Sequence, residues 1–146
     1  MQNKSLGCYG IIIDNNKILL VDKNGGPYDS KLDLPGGQFQ FGERPIETLK
    51  REMKEEVGIT VTNMNLLDVD SVYFDRNYHS QLIKVHHIAI FYEILDYYGE
   101  IKEKININKF NDDSKGAKFY EINKLRKNNL SKIALLILEK LGYKLK

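Results

Sequence analysis

The chain has 146 residues, of which 42% are hydrophobic and 29% charged, the size and composition of one globular domain. We expect a single domain over residues 1–146 and exclude the fibrous and intrinsically disordered classes. The net charge is only +2, yet residues 1–75 carry 8 Lys/Arg against 12 Asp/Glu, and residues 76–146 carry 14 against 8. The net charge alone therefore favours neither a nucleic-acid nor a membrane partner, and the uneven distribution needs an explanation.

Cys8 is the only cysteine, which excludes an intramolecular disulfide and a zinc site built from several cysteines. We expect it to be a packed strand residue in a reducing compartment. The apolar run 133–138 is far shorter than the roughly 20 residues that cross a bilayer, and the N-terminus lacks an extended apolar segment. The sequence therefore predicts a cytoplasmic location and no membrane partner.

The first third of the chain predicts strands and tight turns. Two strands are expected at 6–13 and 17–22, around a turn of Asp, Asn and Asn, residues that tolerate left-handed backbone. Residues 24–27 have loop composition. Residues 32–37 are predicted to be a short extended piece that ends at the pair Gly36 and Gly37.

A helix is predicted over residues 45–58. Pro45 suits the first helical position and Gly58 a C-terminal stop. Apolar residues at helical spacing predict the face that packs on the sheet, namely Ile46, Leu49, Met53 and Val57.

The remaining elements complete an α/β pattern. Stretches 59–73 and 82–95 are rich in β-branched and aromatic residues and are expected to contain strands, and 118–120 a last short strand. Residues 96–116 are polar and predicted to be loop-rich. A second amphipathic helix is predicted over 131–141, with one face formed by Ile133, Leu136, Ile137 and Leu141. The irregular alternation predicts an α/β fold with a mixed sheet flanked by helices.

The first predicted helix contains three glutamates that are candidate metal ligands. At roughly 100° per residue, Glu52, Glu55 and Glu56 share an arc of about 100° beside the apolar stripe. Like charges at these spacings destabilise a helix, so a compensating partner is expected. The carboxylates either form a solvated acidic face or bind a divalent cation, since Mg²⁺ prefers carboxylate and carbonyl oxygens.

The residues around these glutamates form a longer pattern. It reads Gly37, five residues, Glu43, seven residues, then Arg51-Glu52-Met53-x-Glu55-Glu56-x-Gly58-Ile59. This pattern resembles the Nudix hydrolase signature without a gap or substitution, and Leu34-Pro35-Gly36-Gly37 resembles the family's usual approach to it. The resemblance implies an α/β/α sandwich about a mixed sheet.

The resemblance also implies an activity and a site. The implied activity is hydrolysis of a pyrophosphate bond in a nucleoside diphosphate linked to another group, with Mg²⁺ or Mn²⁺ required. By matching position, the carboxylates of Glu52, Glu55 and Glu56 resemble the metal ligands, with the Gly36 carbonyl a further one. Glu52 is also a candidate base, and Glu43 and Arg51 resemble orienting partners; the catalytic set expected is Glu52, Glu55 and Arg51.

Family members often add an acidic residue from a later loop. The candidates here are Glu100, Glu103, Asp112 and Asp113, with Asp112 or Asp113 favoured because they closely precede the predicted strand 118–120. Ordinary solvated loop charge is the alternative for all four. His86 and His87 are adjacent in a predicted strand, so their side chains should point to opposite faces and cannot share a metal.

The substrate is less sharply indicated. The chain has no tryptophan and no proline after Pro45, which argues against resemblance to NADH and ADP-ribose hydrolases. A nucleoside triphosphate or a nucleoside diphosphate derivative is left, and no substrate-binding residue is identified. Two other readings stay open: a regulatory module that binds nucleotide without turnover, and an RNA 5′-end pyrophosphohydrolase. The pattern of lysines argues against a nucleic-acid partner, and a monomer and a homodimer are both compatible with the sequence.

Overall fold

A computed structural model describes residues 1–23, 31–103 and 114–146. Its strands are β1 (Gln2–Ile11), β2 (Ile13–Asp14), β3 (Lys17–Lys23), β4 (Leu32–Asp33), β5 (Gly36–Gln38), β6 (Thr60–Tyr78), β7 (Gln81–Tyr98) and β8 (Ser114–Glu121). Its helices are α1 (Pro45–Glu52), a π-helical turn (Met53–Val57), two 3₁₀ turns (Ile122–Lys124 and Lys127–Asn129) and α2 (Lys132–Lys140). No helix within these ranges is both long enough and apolar enough to span a bilayer.

The strands form two sheets. The first has the order β5-β1-β7-β6, in which β1 and β7 are parallel and the other pairs antiparallel. In the second, β3 pairs antiparallel with β2, β4 and β8. The predicted α/β class with a mixed sheet is confirmed, but the strands are divided between two sheets.

Strand β3 shows how the layers are built. Ile18 and Leu20 are fully buried in the hydrophobic cluster that contains α2, and Leu19 and Val21 are fully buried in the cluster that contains α1. Successive side chains of a strand point to opposite faces. The second sheet therefore has apolar contacts on both faces, and each helix closes one side.

Helix α1 confirms the helix predicted over 45–58, with one difference in its last turn. The final five residues before Gly58 form the π turn, in which the Gly58 N–H donates to the Met53 carbonyl at 3.0 Å. Gly58 has φ 89°, the left-handed conformation that glycine adopts without steric cost. This glycine stops the helix as predicted.

The packed stripe of α1 is shorter than predicted. Leu49, Met53 and Val57 have no solvent exposure, whereas Ile46 is 45% exposed. Ile46 lies in the first turn of the helix. The periodic pattern includes Ile46, but this residue belongs to neither hydrophobic cluster of the described residues.

The predicted strand 6–13 is wrong as a single strand. β1 ends at Ile11 in the first sheet and β2 begins at Ile13 in the second. The hairpin after it is confirmed: β2 pairs with β3 around Asn15 and Asn16, whose φ angles are 50° and 62°. The extended piece 32–37 is divided in the same way, because β4 joins the second sheet and β5 the first. The predicted loop 24–27 lies outside the described residues.

The predicted strands in the middle of the chain exist and are longer than expected. β6 and β7 form one hairpin whose turn contains His79 and Ser80, with φ angles of 49° and 64°. β7 extends to Tyr98 into the segment predicted as loop, and residues 104–113 of that segment are outside the described part. The strand expected at 118–120 is the centre of β8.

Helix α2 confirms the second predicted helix. Ser131 caps its N-terminus by accepting a hydrogen bond from the Ala134 N–H at 3.2 Å, and Gly142 follows with φ 98°. The predicted face is half wrong. Ile133 and Ile137 are buried as expected, but Leu136 is only half-buried and Leu141 is 39% exposed, and the helix buries Ala134 and Leu138 instead.

The unequal burial along α1 gives a stability prediction. Leu49→Ala should lower the free energy of unfolding by about 2–5 kcal/mol, because a fully buried leucine leaves a cavity. Ile46→Ala, in the same helix and the same predicted stripe, should cost less than about 1 kcal/mol. Urea unfolding followed by circular dichroism measures both. Equal losses for the two variants would contradict the packing described.

Candidate active site

The predicted site residues meet where α1 and its π turn pass the glycine pair. Glu52 ends α1, while Glu55 and Glu56 lie in the π turn. A π turn bonds residues five apart, so the 100° spacing of a regular helix does not hold across it. The three carboxylates consequently differ in environment: the side chains of Glu52, Glu55 and Glu56 are 17%, 58% and 6% exposed.

Glu56 is the buried member of the set. Its Oε1 accepts a hydrogen bond from the Gly36 N–H at 2.9 Å, and its Oε2 from the Lys23 ammonium at 2.7 Å. Burial raises the pKa of Glu56 to about 7 in spite of these two partners, which favour the charged form. The sequence thus places a carboxylate inside the protein next to a positive charge.

Arg51 connects the other carboxylates. Its Nε and Nη2 donate to the two oxygens of Glu43 at 2.7 and 3.0 Å, a bidentate pair. Its Nη1 donates to Glu52 Oε1 at 2.8 Å and to Glu55 Oε2 at 3.2 Å. One guanidinium therefore holds Glu43, Glu52 and Glu55 together.

Glu43 is fixed from the loop side as well. Its Oε1 accepts from the Gln40 N–H at 2.7 Å and from the Thr48 hydroxyl at 2.9 Å. Hydrogen bonding to Arg51, more than any other cause, lowers the pKa of Glu43 to about 2. Glu43 is thus ionised at neutral pH and unavailable as a proton donor.

Gly36 and Gly37 lie so close to neighbouring atoms that a side chain at either position would clash. A Cβ on Gly37 would lie 2.6 Å from the Glu52 carboxyl carbon, so the backbone of β5 lies directly against that carboxylate. Gly36 has φ 142°, and a Cβ there would lie 2.1 Å from the Cys8 carbonyl oxygen. Any other residue type at these two positions would displace either Glu52 or strand β1.

Sequence reasoning missed Lys23 and a second polar contact. Lys23 occupies an alternate position after Leu19 and Val21 in β3, and this period of two was the signal that it faces α1. The Tyr9 hydroxyl lies 2.6 Å from His87 Nε2 in a buried hydrogen bond between β1 and β7. Burial, and then the nearby charge of Lys23, lower the pKa of His87 to about 4, so the imidazole is neutral at pH 7.

The other candidates have different outcomes. Cys8 is buried as predicted, and burial raises its pKa to about 11, which argues against a reactive thiol. His86 is half-buried and His87 buried on the opposite face. Glu100 and Glu103 are exposed. Asp112 and Asp113 lie outside the described residues.

The donor set can be compared with the needs of a divalent cation. Carboxylates and a backbone carbonyl are the oxygen ligands that Mg²⁺ and Mn²⁺ prefer, and the Gly37 backbone lies directly against the Glu52 carboxylate. Within residues 1–23, 31–103 and 114–146, no three acidic, His or Cys side chains are arranged around one point. The carboxylates instead turn to Arg51 and Lys23. The residues present fit a hard divalent ion chemically, and their side chains would have to reorient to hold one.

Comparisons with known proteins identify the family of this chain. A family model described as NUDIX domain matches residues 4–140. The chain is 37% identical over 119 residues to an ADP-ribose pyrophosphatase of Methanocaldococcus jannaschii, a match that covers 81% of this chain and 62% of that protein. It is 36% identical over 56 residues to an 8-oxo-dGTP diphosphatase of Escherichia coli, covering 38% of this chain and 43% of that one. The matched segments thus span less than two thirds of either relative.

A solved structure supports the same fold. The crystal structure of a MutT NUDIX hydrolase from Burkholderia pseudomallei has a TM-score of 0.75 to this chain at 22% identity, with 96% of this chain and 99% of that one covered. The chain therefore belongs to the Nudix hydrolase family, as the sequence pattern predicted. Nudix hydrolases generally use divalent metal ions.

The buried Glu56 gives a pH prediction. Its pKa is about 7 in the folded protein against an ordinary 4.5, so the folded state binds this proton more tightly than the unfolded chain. In chelator-treated protein its contribution to stability should therefore fall as pH rises from about 4.5 to about 7 and stay constant above.

Comparison of wild type with Glu56→Gln isolates the contribution of the Glu56 carboxyl to the pH dependence of stability. His87 acts in the opposite direction between about pH 4 and 6.5, because its folded pKa is lowered. We expect the free energy of unfolding of wild type minus that of Glu56→Gln, measured in urea at several pH values, to decrease between pH 5 and 7. Parallel pH profiles for the two proteins would contradict the description of Glu56.

Proposed function

We propose that this chain hydrolyses a pyrophosphate bond in a nucleoside triphosphate or a nucleoside diphosphate derivative. The observation that carries the proposal is that the glycine pair contacts Glu56 through the Gly36 N–H and Glu52 through the Gly37 backbone, while Arg51 joins Glu52 to Glu55. A solvated acidic face does not bury one of its carboxylates or join two others through a single guanidinium.

Mg²⁺ or Mn²⁺ would be held by the carboxylates of Glu52, Glu55 and Glu56 and by the Gly36 carbonyl. When bound, such an ion neutralises pyrophosphate charge and lowers the pKa of a coordinated water. The Gly36 N–H orients Glu56, and the close approach of Gly37 orients Glu52. The site thus presents oxygen ligands from one helix and one strand.

We assign catalytic roles to Glu52, Glu55 and Arg51. Glu52 is the proposed base, since it is the partly buried carboxylate and burial raises its pKa above the ordinary value. Glu55 is the most exposed of the three and is the one best placed to meet solvent or substrate. Arg51 fixes the directions of Glu43, Glu52 and Glu55 through the hydrogen bonds described above.

The substrate class is proposed from two relatives whose names differ. One is an ADP-ribose pyrophosphatase and the other an 8-oxo-dGTP diphosphatase. Both substrates contain a pyrophosphate bond between a nucleotide and a second group. The lack of proline after Pro45 argues against ADP-ribose, while the longer of these two matches favours it. A substrate panel must therefore contain both compounds.

The panel also separates catalysis from binding alone. ADP-ribose and water should give AMP and ribose 5-phosphate, whereas 8-oxo-dGTP and water should give 8-oxo-dGMP and pyrophosphate. Products in the presence of Mg²⁺ or Mn²⁺, and none with chelator, support the proposal. Tight nucleotide binding without products on any member of the panel would instead indicate a regulatory module.

Two substitutions test the proposed roles. Glu52→Gln should lower kcat by about 10²-fold or more, the usual contribution of a positioned base, and Glu56→Gln should lower activity while the protein remains folded. Glu139→Gln, the same change on the exposed side of α2, is the matched control and should keep full activity. Retention of wild-type rates by Glu52→Gln and Glu56→Gln would exclude the assigned site.

A pair of glycine variants tests the geometry. Gly37→Ala places a Cβ against the Glu52 carboxylate and should lower kcat by up to about 10²-fold, as misplacement by 1 Å can do. Gly42→Ala meets no atom within 4 Å, but its φ of 85° should cost about 1 kcal/mol of stability. We expect lost activity in the first variant and lost stability with near-normal activity in the second. The reverse pattern would show that the approach of Gly37 to Glu52 is unimportant.

A further inference from the structure

Lys23 is a charged residue on the same face of β3 as the buried residues Leu19 and Val21. It ends β3, it is 8% exposed, and its ammonium lies 2.7 Å from Glu56 Oε2. The pair joins the second sheet to the π turn, across 33 residues of sequence. A long flexible side chain is thus held in one place at the back of the proposed metal site.

The energetics of burial explain why such a contact is needed. A carboxylate taken out of water is strongly destabilising unless it is paired and hydrogen-bonded. Glu56 satisfies this condition with one hydrogen bond from the Gly36 N–H and one from Lys23. Loss of Lys23 would leave a single neutral donor for the carboxylate.

A divalent cation on Glu56 would meet the charge of Lys23 at close range. The ammonium already lies within hydrogen-bond distance of Oε2, so the ammonium and a cation bound to the same carboxylate would repel each other. The neutral His87 adds no further positive charge there. The repulsion is smallest if Lys23 moves away when the cation arrives.

We propose that Lys23 is an internal counter-cation of the metal site, which neutralises Glu56 in the metal-free protein and releases it when a divalent cation binds. The inference rests on the proposed function, in which Glu56 is a metal ligand. It goes beyond that function by giving the residue that stabilises the empty site and weakens metal affinity. Lys23 is in this sense a positioning residue and not a catalytic one.

Metal affinity tests the proposal directly. Lys23→Met keeps a chain of similar length without the charge and should bind Mn²⁺ about tenfold more tightly than wild type, measured by electron paramagnetic resonance of the free ion. Lys140→Met is the matched control, because Lys140 pairs on the surface with Asp68 and Asp70, and it should leave Mn²⁺ affinity unchanged. Equal or weaker Mn²⁺ binding by Lys23→Met would overturn the proposal.

Stability provides a second readout on the same variants. Lys23→Met should have a lower Tm than wild type in chelator, and saturating Mg²⁺ should recover most of the difference. A loss of Tm that is the same with and without Mg²⁺ would show a purely structural lysine and overturn the proposal.

A measurement on the wild-type protein covers the case in which Lys23→Met does not fold. Lysine ammonium groups held in an ion pair can be followed by ¹H–¹⁵N NMR, with chelator and then with Mg²⁺. We expect the Lys23 signal seen in chelator to shift or disappear when Mg²⁺ binds. An unchanged Lys23 signal in protein saturated with Mg²⁺ would contradict the release of Glu56 by Lys23.

Failure of this inference can be separated from failure of the proposed function by Glu56→Gln. If Glu56→Gln binds Mn²⁺ as wild type does, Glu56 is not a ligand and the proposed site itself is wrong. If Glu56→Gln weakens Mn²⁺ binding but Lys23→Met does not tighten it, the site holds and only the role of Lys23 is wrong.

Discussion

A carboxylate that is almost fully buried needs partners for its charge, and Glu56 obtains them from two strands. Gly36 of β5 donates its N–H and Lys23 of β3 its ammonium. These contacts link the π turn after α1 to both sheets, so the position of the helix relative to the strands depends on them. The same contacts hold the carboxylate of Glu56, which we propose as a metal ligand, inside the protein.

Arg51 and the glycine pair position the other carboxylates of the site. Arg51 gathers Glu43, Glu52 and Glu55, whose mutual repulsion would otherwise separate them. Gly37 lets the backbone lie against Glu52. Four acidic residues of the first half of the chain, Glu43, Glu52, Glu55 and Glu56, are therefore paired with the protein cations Arg51 and Lys23. The basic second half has a smaller share in this arrangement, since none of its lysines contacts these carboxylates in the described ranges.

Much of this arrangement could be predicted from the sequence because it depends on local signals. Pro45 and Gly58 bound the first helix, the asparagines turn the hairpin, and the spacing of the glutamates identifies the family. Other features depend on contacts far apart in sequence. The sheet change at Ile12, the exposure of Ile46 and the pairing of Lys23 with Glu56 are set by which elements pack together, and periodicity carries no such information. The π turn was also missed, since no residue type marks it.

The proposed function requires a divalent cation to bind between the glycine pair and the glutamates of the first helix. Titration of ¹⁵N-labelled protein with substoichiometric Mn²⁺ tests it most directly, because the paramagnetic ion broadens amide signals near it. We expect the signals of Gly36, Gly37, Glu52 and Glu56 to broaden first. Broadening that begins instead at the exposed acidic pair Asp68 and Asp70, or that affects no region before another, would contradict it.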